Sequence, residues 1–149
     1  MKISTKGRYA IRMMLDLAEH QNGGYVALKD IAKRQNISKK YLEQIVPLLN
    51  NAGILNTTRG YQGGYMLAKN PSQYTVGDVL RITEGSLAPV FCAEAETNHC
   101  SSFCERSAQC PTLPLWQGLY KVICDYLDSI TLQDLLDRNH CRITDNYII

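Results

Sequence analysis

Four cysteines within residues 92–110 are the side chains of this sequence best suited to chemistry. Their spacing is Cys92-x7-Cys100-x3-Cys104-x5-Cys110. A zinc ion or an iron–sulfur cluster each takes about four protein ligands. Paired C-x2-C knuckles, the usual zinc signature, are absent. Uneven gaps suit a [2Fe–2S] cluster, whose two sulfide-bridged irons can be reached separately. A metal-free thiol switch, a zinc site and no role at all stay open on chemistry alone. Glu94, Glu96, His99 and Glu105 are further donor candidates, although His99 adjoins Cys100 and is badly placed to share a metal with it. Cys124 falls near the apolar stripe of a helix and reads as a small core residue. Cys141 lies in the tail.

A second set of residues suits nucleic acid. Ser38 can cap a helix that opens with Lys39, Lys40, Glu43 and Gln44 facing outward. At the start of a recognition helix, lysines can meet phosphates or guanine, Gln44 adenine and Glu43 cytosine. Arg59 stands at the tip of a glycine-rich hairpin and could enter a narrow minor groove. Gly60, Gly63 and Gly64 would let that hairpin's backbone lie close to a sugar-phosphate chain. Lys6 and Arg8 sit in the first turn of the first helix, with Arg12 just beyond. There they oppose the helix dipole, but cations beside free N–H groups can also hold phosphate.

Local pattern supplies the elements that must position these groups. Ala10, Met13, Met14, Leu17 and Ala18 recur at helical spacing in a helix that starts near Thr5 and ends by Gly23-Gly24. Leu28, Ile31 and Ala32 mark a short second helix, and Asn36-Ile37 a turn. The third helix buries Leu42, Ile45, Val46 and Leu49, with Ile37 and Leu42 placed as a hydrophobic staple. It bends at Pro47 and stops at Gly53. Residues 54–58 and 65–67 read as a hairpin. Thr75 and Asp78 cap a fourth helix, residues 89–114 form a loop, and a long helix carries Leu115, Leu119, Val122, Ile123, Tyr126 and Ile130 on one stripe. A short helix over residues 131–136 and a tail beyond His140 complete the chain.

Residues 1–70 hold 11 Lys/Arg against 4 Asp/Glu, whereas residues 71–149 hold 5 against 10. The basic half is the half that carries the reader pattern, as expected of a nucleic-acid footprint. The segment 13–17 is too short and too charged for a signal peptide, and no run approaches the ~20 apolar residues of a membrane span. The chain therefore reads as cytoplasmic, with no membrane partner, in a compartment where clustered cysteines bind metal or sense redox state more often than they form disulfides. No nucleophile–base set, carboxylate pair or phosphate-cradling loop points to an enzyme or a small-molecule substrate.

Lys6-Gly7-Arg8-Tyr9-Ala10, Tyr41-Leu42-Glu43-Gln44, Arg59-Gly60 with Gly63-Gly64-Tyr65, and the cysteines before Leu115-Trp116 give the chain a resemblance to a known family. From Met1 to about Asp137 it resembles the bacterial winged-helix regulators that include IscR, NsrR, RirA and CymR, with IscR-type iron–sulfur regulators nearest. The resemblance implies a mainly α winged helix–turn–helix with a small β-hairpin wing and a long C-terminal dimerisation helix. It implies a homodimer on a two-fold, double-stranded DNA operator, with the third helix in the major groove and the wing in the minor groove. It also implies a [2Fe–2S] cluster on Cys92, Cys104 and Cys110. The candidate DNA contacts are then Thr5, Lys6, Arg8, Tyr9, Ser38, Lys39, Lys40, Tyr41, Glu43, Gln44, Arg59, Tyr61, Gly63, Gly64 and Tyr65.

The chain departs from that family pattern in several places. The loop before Cys104 is longer and carries the extra Cys100, a candidate fourth or alternative ligand. The positions where relatives place a histidine or an N-terminal acid hold Leu113 and Arg8. The wing reads Arg59-Gly60-Tyr61-Gln62. The expected organisation is a DNA-binding domain over 1–84, a cysteine-rich sensor loop over 85–112, a dimerisation helix region over 113–138 and a tail over 139–149. The expected function is a regulator that senses cluster or redox status. A cluster-free, thiol- or partner-controlled repressor of the same fold and a small zinc-binding interaction module are the alternatives.

Overall fold

The structure, a computed structural model, describes residues 2–60, 63–94, 104 and 106–145. Six helices and one hairpin follow in order: α1 (Thr5–His20), α2 (Leu28–Gln35), α3 (Lys39–Asn51), β1 (Leu55–Thr58), β2 (Gly64–Leu67), α4 (Val76–Glu84), α5 (Leu113–Asp128) and α6 (Leu132–Asp145). Local capping sets most of these boundaries. Ser4 Oγ accepts from the Gly7 amide at 3.2 Å, and Ser38 Oγ from the Tyr41 amide at 3.2 Å. Thr75 and Asp78 form a reciprocal capping box at α4. Asn36 turns left-handed at φ 50° between α2 and α3, and Gly53 at φ 69° follows α3. α3 runs on through Pro47.

One core joins α1, α2, α3 and the base of the hairpin. Met13, Met14, Leu17, Ile31, Leu42, Ile45 and Leu49 are fully buried there, and Ile37 joins Leu42 in it as a staple requires. β1 and β2 pair antiparallel from Leu55 opposite Leu67 to Thr58 opposite Gly64. Val26 adds a third, one-residue edge. Its amide donates to the Tyr65 carbonyl and its carbonyl accepts from the Tyr65 amide, each at 2.9 Å. A mainly helical winged helix is therefore the observed fold.

The C-terminal half departs from expectation in three ways. The loop expected over 89–114 contains one-turn helices at Phe91–Glu94 and Ser107–Gln109, and α5 begins within it. Pro114 sits in the first turn of α5, where a missing N–H is harmless. Ile130 is not part of the α5 stripe. The helix stops at Asp128, and Ile130 is buried in a second, smaller core with Val76, Leu80 and Leu87. The break is set by the Val76 amide, which donates to the Ile130 carbonyl at 2.8 Å, and by Thr131 and Asp134, which cap α6 reciprocally at 2.8 and 3.1 Å. α6 is also longer than the short helix expected, reaching Asp145. Arg81 of α4 grips Asp128 of α5 through two bonds of 2.7 and 2.6 Å. Among the described residues no helix is long and apolar enough to cross a membrane.

Candidate nucleic-acid interface and cysteine segment

α3 turns its apolar stripe inward, which leaves Lys39, Lys40, Glu43 and Gln44 exposed along its outer face. Lys39 Nζ lies 3.4 Å from Glu43 Oε1, so the acid on this face is partnered by a cation one turn away. An exposed pair of this kind adds little stability, and both groups can be redirected to DNA at small cost. Lys39 and Glu43 share a cleft of about 350 Å³ with Lys29, Gly63, Gly64 and Tyr65. The fold thus brings the start of α3, the start of α2 and the base of the wing onto one surface. Lys29 is a cation that the sequence pattern did not single out. Its place at the N-terminal end of α2 is the signal that would have found it. Arg59 is exposed on the wing. Tyr61, assigned to the same tip, lies outside the described residues.

The glycines of the wing have a packing cause. A Cβ on Gly64 would overlap the Val26 carbonyl, 2.6 Å from its carbon, and one on Gly63 would stand 2.7 Å from the Thr58 carbonyl oxygen. Gly64 is buried. The sequence argument placed these glycines for approach to DNA, and the structure shows that the chain's own backbone already needs them.

At the start of α1 the helix end already meets an anion of the protein itself. Ser4 donates from its amide at 3.2 Å and from its hydroxyl at 2.6 Å to Glu84 Oε1, so a carboxylate of the protein already occupies this helix end. The helix dipole favours an anion there, and α4 supplies it. Gly7 lies under that carboxylate, where an added Cβ would collide with it. Arg8 remains exposed and donates to Thr5 Oγ1 at 3.0 Å, and Lys6 is half-buried. Tyr9 meets Tyr41 edge-on, with centroids 5.3 Å apart, and carries the Arg12 guanidinium over its ring at 5.4 Å.

Cys92 stands on the one-turn helix whose Ala93 is buried, and Cys110 stands just before α5. Cys92, Cys104, Cys110 and Cys124 are free thiols, each half-buried. The Cys110 thiol is held below its ordinary value, chiefly by hydrogen bonding from the Thr112 hydroxyl 3.3 Å away. This favours the thiolate, the form that binds metals and reacts. Cys100, Glu96, His99 and Glu105 lie outside the described residues. Among the described residues, no three His, Cys, Asp or Glu side chains gather closely enough to hold a metal ion. Cys124 is not a core residue. It is half-buried on α5, where it lines a cleft with Arg81, Ala93 and Tyr120.

Comparison with known proteins matches residues 3–138 to a family described as "Rrf2: Iron-dependent Transcriptional regulator". The chain is 41% identical to Protein rrf2 of Nitratidesulfovibrio vulgaris over 97% of each sequence. Among solved structures it resembles CymR (YrzC), the global cysteine regulator of B. subtilis, with a TM-score of 0.72 at 38% identity, covering 93% of this chain and 98% of that one. It resembles IscR of T. potens about as well, with a TM-score of 0.71 at 41% identity, covering 93% and 88%.

Proposed function

Since this chain belongs to the Rrf2 family and is a DNA-binding transcription regulator rather than an enzyme, we propose that it grips a two-fold operator as a homodimer and that a [2Fe–2S] cluster on Cys92, Cys104 and Cys110 sets the strength of that grip. One observation carries the cysteine part. Cys92, Cys104 and Cys110 are all half-buried free thiols, Cys92 beside the buried Ala93 and Cys110 just before α5. The donor set fits the group chemically, since soft thiolates suit iron–sulfur centres. When bound, the cluster would supply an oxidisable crosslink between these thiolates.

The remaining steps belong to the chain. Lys39, Lys40 and Gln44 present the reading face to the major groove, and Arg59 reaches the neighbouring minor groove. Lys6 and Arg8 contact phosphates by their charge. Leu115, Leu119, Val122 and Tyr126 of α5 are exposed at intervals of four, three and four residues, the spacing of a helix–helix seam, and a second copy covers them. Ligation acts on DNA binding only through its different affinity for two arrangements of the dimer.

A second reading is a thiol-switched regulator without a cluster. The lowered Cys110 thiol and the equal likeness to the cysteine regulator CymR favour it. An anaerobic absorbance spectrum of freshly purified protein, with iron and acid-labile sulfide counts, separates the two. Visible bands with about two iron and two sulfide per chain support the cluster. A colourless protein that resists reconstitution selects the thiol switch and leaves DNA reading intact. For the dimer, a concentration-independent monomer mass at micromolar protein refutes it.

A further inference from the structure

Three residues on one face of α1, Tyr9, Arg12 and Asp16, touch the two helices of the reader. Asp16 is wholly buried. Its Oδ1 accepts from the Arg34 terminal nitrogen at 2.6 Å and from Arg34 Nε at 3.2 Å. Its Oδ2 accepts from Arg34 Nε at 3.0 Å and from Gln35 Nε2 at 3.0 Å. One turn earlier, Arg12 Nε donates to Gln35 Oε1 at 3.2 Å, and its terminal nitrogen donates to the Gln35 carbonyl. α1 thus holds the last turn of α2 with an anion and a cation together. Asn36 and the Ser38 cap follow at once, so the point from which α3 departs is set by this grip. The Tyr9–Tyr41 contact repeats the connection one turn into α3.

A wholly buried carboxylate is a costly way to join two helices, even when its partner guanidinium stays one-third exposed as that of Arg34 does (33%). Cohesion between α1 and α2 already comes from Met13, Leu17 and Ile31, all fully buried. The paired charges add direction, because a forked guanidinium–carboxylate contact fixes both a distance and a plane. We infer that Asp16, acting through Arg34 and Gln35, is a positioning residue for DNA recognition: it sets the angle at which α3 meets the major groove. The inference concerns DNA reading alone and does not depend on what the cysteines bind.

The test uses the full chain. The native protein selects a duplex from a randomised library, and binding to that duplex and to poly(dI-dC) is then measured across salt for three proteins. These are the native chain, Asp16→Asn, and the double variant Asp16→Leu/Arg34→Met. The double variant should still unfold cooperatively, since it leaves no unpaired buried charge. Poly(dI-dC) affinity and salt slope should stay native, because the phosphate-facing cations are untouched. The preference for the selected duplex should fall about tenfold in both variants, the size of one mismatched base pair. If either folded variant keeps its preference within about threefold of native, the positioning role is overturned. If both lose cooperative unfolding, Asp16 is a stability element and the inference fails equally.

Discussion

Replacing Gly64 by alanine tests the reasoning behind the wing at a single atom. The new Cβ meets the Val26 carbonyl, which belongs to backbone and cannot swing aside as a side chain would. The contact sits at the only rungs joining Val26 to Tyr65, two backbone hydrogen bonds of 2.9 Å. Losing both removes about 1 kcal/mol each. Forcing a methyl group into a packed contact adds about 1–3 kcal/mol. The expected loss is therefore about 3–5 kcal/mol, and at about 3 °C per kcal/mol for a chain of this size the melting temperature falls about 10–15 °C. Thermal unfolding measures the total, and hydrogen exchange at the Val26 and Tyr65 amides locates it. Gly24→Ala is the control, since its Cβ would make only an ordinary contact, 3.5 Å from the Gln21 carbonyl oxygen. A Gly64→Ala protein that melts within about 2 °C of native and keeps Tyr65 protected would refute the argument, because an effect that small lies far below even one lost hydrogen bond plus the strain. The glycine would then have to be explained by approach to DNA alone.

Three further outcomes are expected. Arg59→Ala should weaken binding across all DNA sequences and reduce the salt slope by about 0.9 if the residue meets one phosphate, as titrations at several salt concentrations will show. Arg81 hydrogen-bonds Asp128 and holds its carboxyl below the ordinary 3.8, so the pair's contribution is present above that value and lost as pH falls through the lowered one. The urea-midpoint gap between native protein and Asp128→Asn should hold from neutral pH to about 4 and close below it, and it will be small because the pair is partly solvent-screened. Thr112→Val should return the Cys110 thiol toward its ordinary value and slow its alkylation at neutral pH, with Cys92 as the internal reference in the mass spectrum.

The sequence by itself determined the helices and hairpin of the N-terminal half and the outward face of α3. Ser38, the Thr75–Asp78 pair and the 3.6-residue stripes of α1 and α3 act within one or two helical turns, so their consequences are visible in local order. The exposed positions Lys39, Lys40, Glu43 and Gln44 follow from the buried stripe of α3 by helical geometry alone. The four-cysteine spacing pointed to metal or redox chemistry, and that reading stands as a proposal. Tertiary structure decided what depends on groups far apart in the chain. Asp16, which in sequence only interrupts an apolar run, becomes the buried centre of the α1–α2 joint once Arg34 and Gln35 reach it. Gly64 is fixed by Val26, the Ser4 cap of α1 is held by Glu84 from 80 residues away, and Ile130 leaves the α5 stripe because Val76 draws its carbonyl into another contact. The physical reason is common to all four. Periodicity and capping are short-range and leave a trace in neighbouring residues, whereas an ion pair or a close backbone approach is specified by two distant segments and exists only when packing has brought them together.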